Sequence, residues 1–226
     1  MMHVFQQGYG PALAMRRKHV DGKRSDQEQF WAGDFGDGYI GRNDDRAIVA
    51  GNVRLFSQAL RGIAVRSVLE VGANIGMNLA ALKVLYPALD VSAIEINPTA
   101  ASELVSRFPG SRVENCSITE STLDTQFDLV LSKGVLIHLN PNLLPEVYKR
   151  IGEWASKYVI FAEFYNPTPM AIPYRGHEDR LFKRDFAGEF LSMHKDFILR
   201  DYGFVYRGDP SHPLDDITWF LMERAA

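Results

Sequence analysis

Apolar and polar positions along this chain change period repeatedly, and the changes mark out elements. Ser25-Asp26-Gln27-Glu28 has the serine–glutamate spacing of a capping box and predicts a short helix carrying Phe30 and Trp31. Asn43-Asp44-Asp45 predicts a second cap, and Val49, Val53, Phe56 and Leu60 then recur at helical spacing until Gly62. From there short apolar runs alternate with helical patterns. Residues 67–71 read as a buried strand and 75–85 as a helix. Residues 91–96 read as a strand, and Asn97-Pro98 caps a helix to Phe108. Residues 112–115 are a weak strand and 127–131 a strong one. Asn140-Pro141 opens a helix with Val147, Ile151 and Trp154 on one face, and 158–163 is a fifth strand. Val205-Tyr206 and residues 217–222 follow with no helix pattern between them, which predicts an antiparallel hairpin at a sheet edge.

Strands alternating with helices predict an α/β fold with a parallel sheet covered on both faces. At 226 residues the chain suits one such domain. Residues 1–24 lack periodicity and are expected to be a flexible lead. The domain then spans 25–226, with a helical cap over 25–62 and a substrate-facing insertion over 164–200.

Composition narrows the function. The net charge of −3 argues against a nucleic-acid binder. A single cysteine, Cys116, excludes an intrachain disulfide and a multi-cysteine zinc site. The six histidines form no pair at ligand spacing, so no metal is expected. No apolar run reaches the roughly 20 residues that span a bilayer, and no signal-peptide core is evident, which makes the cytoplasm the expected location. Oligomeric state is not readable.

The chemistry gathers at strand ends. Glu70-Val71-Gly72-Ala73-Asn74-Ile75-Gly76 is a strand–loop–helix junction with glycines at both ends of the loop, where backbone and helix N-terminus can approach a ligand. Its glycines lack the Gly-x-Gly-x-x-Gly order of nicotinamide sites. The Glu70 carboxylate would repel a pyrophosphate but suits a ligand carrying ammonium and sulfonium groups. Glu95, about 20 residues past the loop and followed by Ile96, stands where an acidic side chain accepts ribose hydroxyls. Ser117 and Ile118, after the third strand, are placed to meet an adenine. Together Glu70, the glycine loop and Glu95 form an adenosyl-binding signature.

After the fourth strand, His138 has the near-neutral pKa of a general base, and Glu163 ends the fifth strand as a second candidate. The stretch 172–186 mixes aromatic, acidic and basic side chains. Its cations Arg175, His177, Lys183 and Arg184 suit an anionic substrate, unless Glu178, Asp179 and Asp185 neutralise them.

These segments resemble the S-adenosylmethionine-dependent class I methyltransferases, and more narrowly the pseudaminic acid biosynthesis-associated methylases. The carrying stretches include Gln29-Phe30-Trp31-Ala32-Gly33-Asp34-Phe35-Gly36-Asp37, Arg42-Asn43, Lys133-Gly134-Val135-Leu136-Ile137-His138, Tyr165-Asn166-Pro167-Thr168-Pro169 and Tyr174-Arg175-Gly176-His177-Glu178. The resemblance implies a seven-stranded Rossmann-like sheet ending in an antiparallel hairpin, with S-adenosylmethionine as cofactor. It implies that Trp31, Tyr39, Arg42 and Lys133 help hold that cofactor, with Tyr39 and Arg42 closing on its carboxylate. Tyr165 and Tyr174 join the cations as substrate-facing residues. The expected acceptor is a small anionic molecule, such as an acidic sugar or its nucleotide derivative. Two other readings stand beside this one: an NAD-dependent oxidoreductase, and a non-catalytic cofactor-binding partner protein.

Overall fold

The computed structural model describes residues 24–41 and 46–225. The expected lead therefore lies outside the described residues except for Arg24, which pairs with Glu120 at 3.4 Å. Arg42 and the predicted Asn43 cap also lie outside them.

A seven-stranded sheet organises the molecule. β1 (Ser67–Val71) is buried along nearly its whole length, as a central parallel strand must be. β2 (Asp90–Ile94) and β3 (Arg112–Glu114) lie on one side of it, β4 (Phe127–Lys133) and β5 (Ala155–Glu163) on the other, all parallel. β9 (Ile217–Arg224) inserts antiparallel between β5 and the edge strand β8 (Phe197–Val205), giving the order β3-β2-β1-β4-β5-β9-β8. The predicted terminal hairpin is present. β8 begins well before Val205, however, because an edge strand with most side chains in solvent shows no apolar alternation to read.

Helices cover both faces. α3 (Arg46–Ala59), α4 (Met77–Leu85) and α5 (Pro98–Arg107) pack Phe56, Leu79, Leu82 and Leu104 against one face. α6 (Leu144–Trp154) and α7 (Phe186–Met193) pack Tyr148, Ile151 and Phe190 against the other. α4 starts two residues later than its pattern suggests. Gly76 precedes it in a left-handed conformation, φ 82°, which no helix can propagate.

α1 (Asp26–Ala32), with both halves of its capping box formed, and α2 (Asp34–Ile40) lie over the carboxyl ends of the central strands. A separate two-stranded hairpin faces them. It comprises β6 (Met170–Tyr174) and β7 (His177–Lys183), joined by Arg175 and Gly176 at φ 50° and 83°, both left-handed as a tight two-residue turn requires. The 164–200 stretch thus divides into this hairpin, α7 and the start of β8. The sheet order reverses direction between β1 and β4, which opens a crevice at their carboxyl ends.

Candidate functional site

The β1–α4 loop forms the floor of that crevice. Gly72 and Ala73 donate their N–H groups to the Ile94 carbonyl at 2.8 and 3.2 Å, which fixes the loop against β2. Gly72 turns at φ 71°, and a β-carbon there would lie 2.6 Å from a Val135 methyl. Asn74, where the general methyltransferase pattern has glycine, sits at φ 48°, a conformation asparagine tolerates.

Glu95, just beyond β2, accepts the Asn74 N–H at 2.6 Å and the Asn97 N–H at 2.8 Å, one on each carboxylate oxygen. Its side chain lines the crevice and locks the loop at once. Burial raises its pKa.

Glu70 is fully buried and forms no part of the cavity wall. It accepts from the Asn78 amide at 2.6 Å, and burial pushes its pKa up to about 8 despite that bond and Lys133 nearby. Lys133 ends β4 inside the crevice. Burial lowers its pKa, opposed by Glu70, Asp215 and Glu163.

The opposite wall follows β4. Glu163 accepts from the Ser132 hydroxyl at 2.8 Å and from the Val135 and Leu136 N–H groups at 3.1–3.2 Å. Those bonds tie its carboxylate to the turn that carries His138. They make Glu163 an anchor for that turn, while it also lines the cavity. Its pKa, raised by burial to about 7, reflects the enclosure. His138 donates from Nδ1 to the Arg180 carbonyl at 2.6 Å, which leaves Nε2 as the lone-pair nitrogen. Burial lowers its pKa to about 4, so the ring is neutral at physiological pH.

Ile96, Ser117 and Ile118 line the crevice as expected. The Ser117 hydroxyl is already bonded to Glu28, whose other oxygen caps α1 at 2.7 Å. Trp31 and Tyr39 cover the same space from the N-terminal helices.

Of the expected substrate residues, Tyr174 alone lines the cavity. Tyr165 packs outside on Phe220, with ring centroids 5.7 Å apart. Arg175 stacks on Tyr174 at the exposed hairpin turn, and Lys183 lies over Phe164. His177 packs edge-on against the stacked Phe30 and Phe35 rings, and Arg184 pairs with Glu189 at 2.7 Å. The cations that suggested an anionic substrate are therefore held by rings and a carboxylate, and none of them lines the cavity. Lone residues of a β-hairpin alternate between faces, and the sequence did not reveal which face was inward.

The cavity encloses about 580 Å³, the size of a site for a small molecule or cofactor. Several buried polar atoms at its wall have no hydrogen-bond partner among the described residues: Gln27 Oε1, Trp31 Nε1, Asn52 Nδ2 and Oδ1, Asn74 Oδ1 and Asn78 Oδ1. Asn52 was missed in the sequence. Its signal was present, since it falls on the inward stripe of α3, three residues after Val49 and four before Phe56. Asp215 and Arg207, from the loop before β9, also line the cavity. Among the described residues no group of three or more His, Cys, Asp or Glu could hold a metal ion, and no helix is long and apolar enough to cross a membrane.

No family model matches this chain, and no curated protein does. Solved structures do match. A 1,6-didemethyltoxoflavin-N1-methyltransferase from Burkholderia thailandensis, bound to 1,6-didemethyltoxoflavin and S-adenosylhomocysteine, superposes with a TM-score of 0.66 at 19% identity, over 88% of this chain and 87% of that one. The N-methyltransferase NodS from Bradyrhizobium japonicum gives 0.60 at 15% identity, over 81% and 99%. The plantazolicin methyltransferase BpumL with S-adenosylhomocysteine gives 0.61 at 12% identity, over 88% and 94%. The chain therefore has the class I methyltransferase fold. The narrower methylase family is matched by no family model.

Proposed function

We propose that this protein is an S-adenosylmethionine-dependent methyltransferase acting on a small molecule. The observation that carries the reading is the set of unpartnered polar atoms around one cavity at the switch point of a methyltransferase sheet. Each such atom costs about 1–3 kcal/mol when nothing bonds it. A ligand rich in hydroxyls, amines and ring nitrogens relieves that cost, and S-adenosylmethionine is such a ligand.

The residues fit it in parts. Glu95 retains lone pairs for ribose hydroxyls while holding the loop. Ile96 and Ile118 offer apolar surface to a base. Asn52, Asn78 and Tyr39 supply donors and acceptors for an amino-acid end, and Arg42 belongs to the same proposed set. When bound, the cofactor would supply a methyl group on a positively charged sulfur. The protein orients the acceptor, excludes water beneath α1 and the β6–β7 hairpin, and holds a proton acceptor at His138 Nε2. Positioning is the main source of rate in such a transfer.

Calorimetric titration with S-adenosylmethionine, S-adenosylhomocysteine and NAD tests the reading. Binding of the first two and not the third supports it. Tight binding of NAD alone overturns it. Cofactor binding without turnover on any acceptor in a broad screen favours the non-catalytic reading.

A further inference from the structure

The acceptor's chemistry is written in the part of the cavity that the cofactor reading leaves over. Trp31, His138 and Tyr174 come from three separate elements and meet in one continuous wall, with ring centroids 4.7 Å apart for Trp31–His138 and 5.0 Å for His138–Tyr174. Phe164 and Leu181 extend it. The polar atoms of this wall are few. Among the described residues Trp31 Nε1 is a buried donor without a partner, Gln27 Oε1 is a buried acceptor without one, and His138 presents a neutral ring.

Charge points the same way. The ionisable carboxylates lining the cavity are Glu28, Glu95, Glu163 and Asp215, against two cations, Lys133 and Arg207. Lys133 is buried among three of the acids around it, and Arg207 faces Asp216 at 3.4 Å. No cation of the hairpin lines the cavity. An anion entering here would lose hydration and find both lining cations already facing carboxylates.

We infer that the acceptor is an uncharged molecule with a flat unsaturated ring bearing a hydroxyl or amine, seated against the Trp31–His138–Tyr174 wall. The inference rests on the methyltransferase reading. In the transfer, the acceptor's oxygen or nitrogen lone pair forms the new bond to the methyl carbon as the carbon–sulfur bond breaks, its electrons going to sulfur. The acceptor's proton passes to His138 Nε2. The charge lost at sulfur appears as that proton, and every atom is accounted for. Aromatic faces hold such a ring by offset or edge contacts, and the unpartnered Trp31 and Gln27 atoms fix its rotation.

The test uses the intact protein saturated with S-adenosylhomocysteine. Ligand-observed NMR compares 2-naphthol and 3-hydroxyquinoline with glucuronic acid and N-acetylneuraminic acid. The flat neutral probes bind and the acidic sugars do not. Tyr174→Ala weakens probe binding about tenfold, the scale of losing an aromatic contact and its buried area, with affinity for S-adenosylhomocysteine unchanged. Trp31→Phe keeps the wall and removes the donor, and shifts preference away from probes with a ring acceptor atom. Preferential binding of the acidic sugars, or binding of neither set, overturns the inference; the wild-type ranking decides this even where a variant fails to fold. Failure to bind S-adenosylhomocysteine overturns the methyltransferase reading and this one with it.

Discussion

The carboxylate of Glu95 accepts the backbone N–H of Asn74 at 2.6 Å, joining residues 21 positions apart across the ends of β2 and β1. One side chain thus sets the shape of the glycine loop and forms part of the ligand cavity. A left-handed backbone at Asn74, φ 48°, aims that N–H at the carboxylate.

Replacing Glu95 by glutamine therefore tests two roles together. Its amide nitrogen cannot accept either backbone N–H, so one of the two bonds, to Asn74 or Asn97, is lost. The buried orphan costs about 1–3 kcal/mol. Glu95→Gln is expected to lower the urea midpoint and to weaken S-adenosylhomocysteine binding at least tenfold by calorimetry. Normal affinity in a folded variant would separate Glu95 from the ligand.

Gly76 and Gly134 separate backbone strain from crowding. Both are left-handed, at φ 82° and 67°. A β-carbon on Gly76 would lie 2.4 Å from a Phe108 ring carbon and 2.8 Å from a Leu104 methyl, whereas one on Gly134 meets nothing within 4 Å. Gly134→Ala is expected to cost about 1–2 kcal/mol for its backbone alone. Gly76→Ala adds about 1–3 kcal/mol for overpacking. Equal losses in urea denaturation would contradict the collision.

Stability should also depend on pH through two buried groups of opposite sign. Glu70 keeps its proton to about pH 8 when folded but releases it above 4.5 when unfolded. Its contribution is complete below 4.5 and is lost as pH rises through 8. His138 is depressed from 6.5 to about 4, so its contribution is present above 6.5 and is lost as pH falls through 4. The two oppose each other between 4.5 and 6.5. Above 6.5, Glu70 and, up to about 7, Glu163 remain. Stability is expected to fall between pH 6.5 and 8, with Glu70→Gln flattening the fall. An unchanged slope in that variant would assign the effect elsewhere.

The sequence made the centre of the fold legible and its rim opaque, for a physical reason. β1, β4 and β5 are buried on both faces, so apolar runs announce them; the glycine loop follows from the end of β1, and Glu95 from the end of β2. The β6–β7 hairpin lies over a ligand crevice and contacts both solvent and cavity. Its side chains follow no single period, and Pro173 sits within β6. That is why Tyr174 lines the cavity while Arg175, Lys183 and Arg184 do not: residue type suggested a shared target, but strand alternation and neighbouring rings sent them elsewhere. Glu163 carries the same ambiguity, since a strand-end carboxylate reads the same whether it faces a substrate or caps the next turn.

Asn52 offers the sharpest separation of ligand binding from folding. It is fully buried on α3, lines the cavity, and neither polar atom of its amide has a partner among the described residues. In a residue serving the fold, that arrangement would be a net loss, because leucine of similar size would bury the same volume without desolvating an amide. Asn52→Leu is therefore expected to leave the free protein as stable as the wild type or more stable, by thermal unfolding. The same change should weaken S-adenosylmethionine binding by about tenfold or more, the value of one or two lost buried hydrogen bonds. The thermal shift on adding the cofactor then shrinks although the starting melting temperature does not. A variant that melts early and binds normally would make Asn52 a structural residue and remove it from the site.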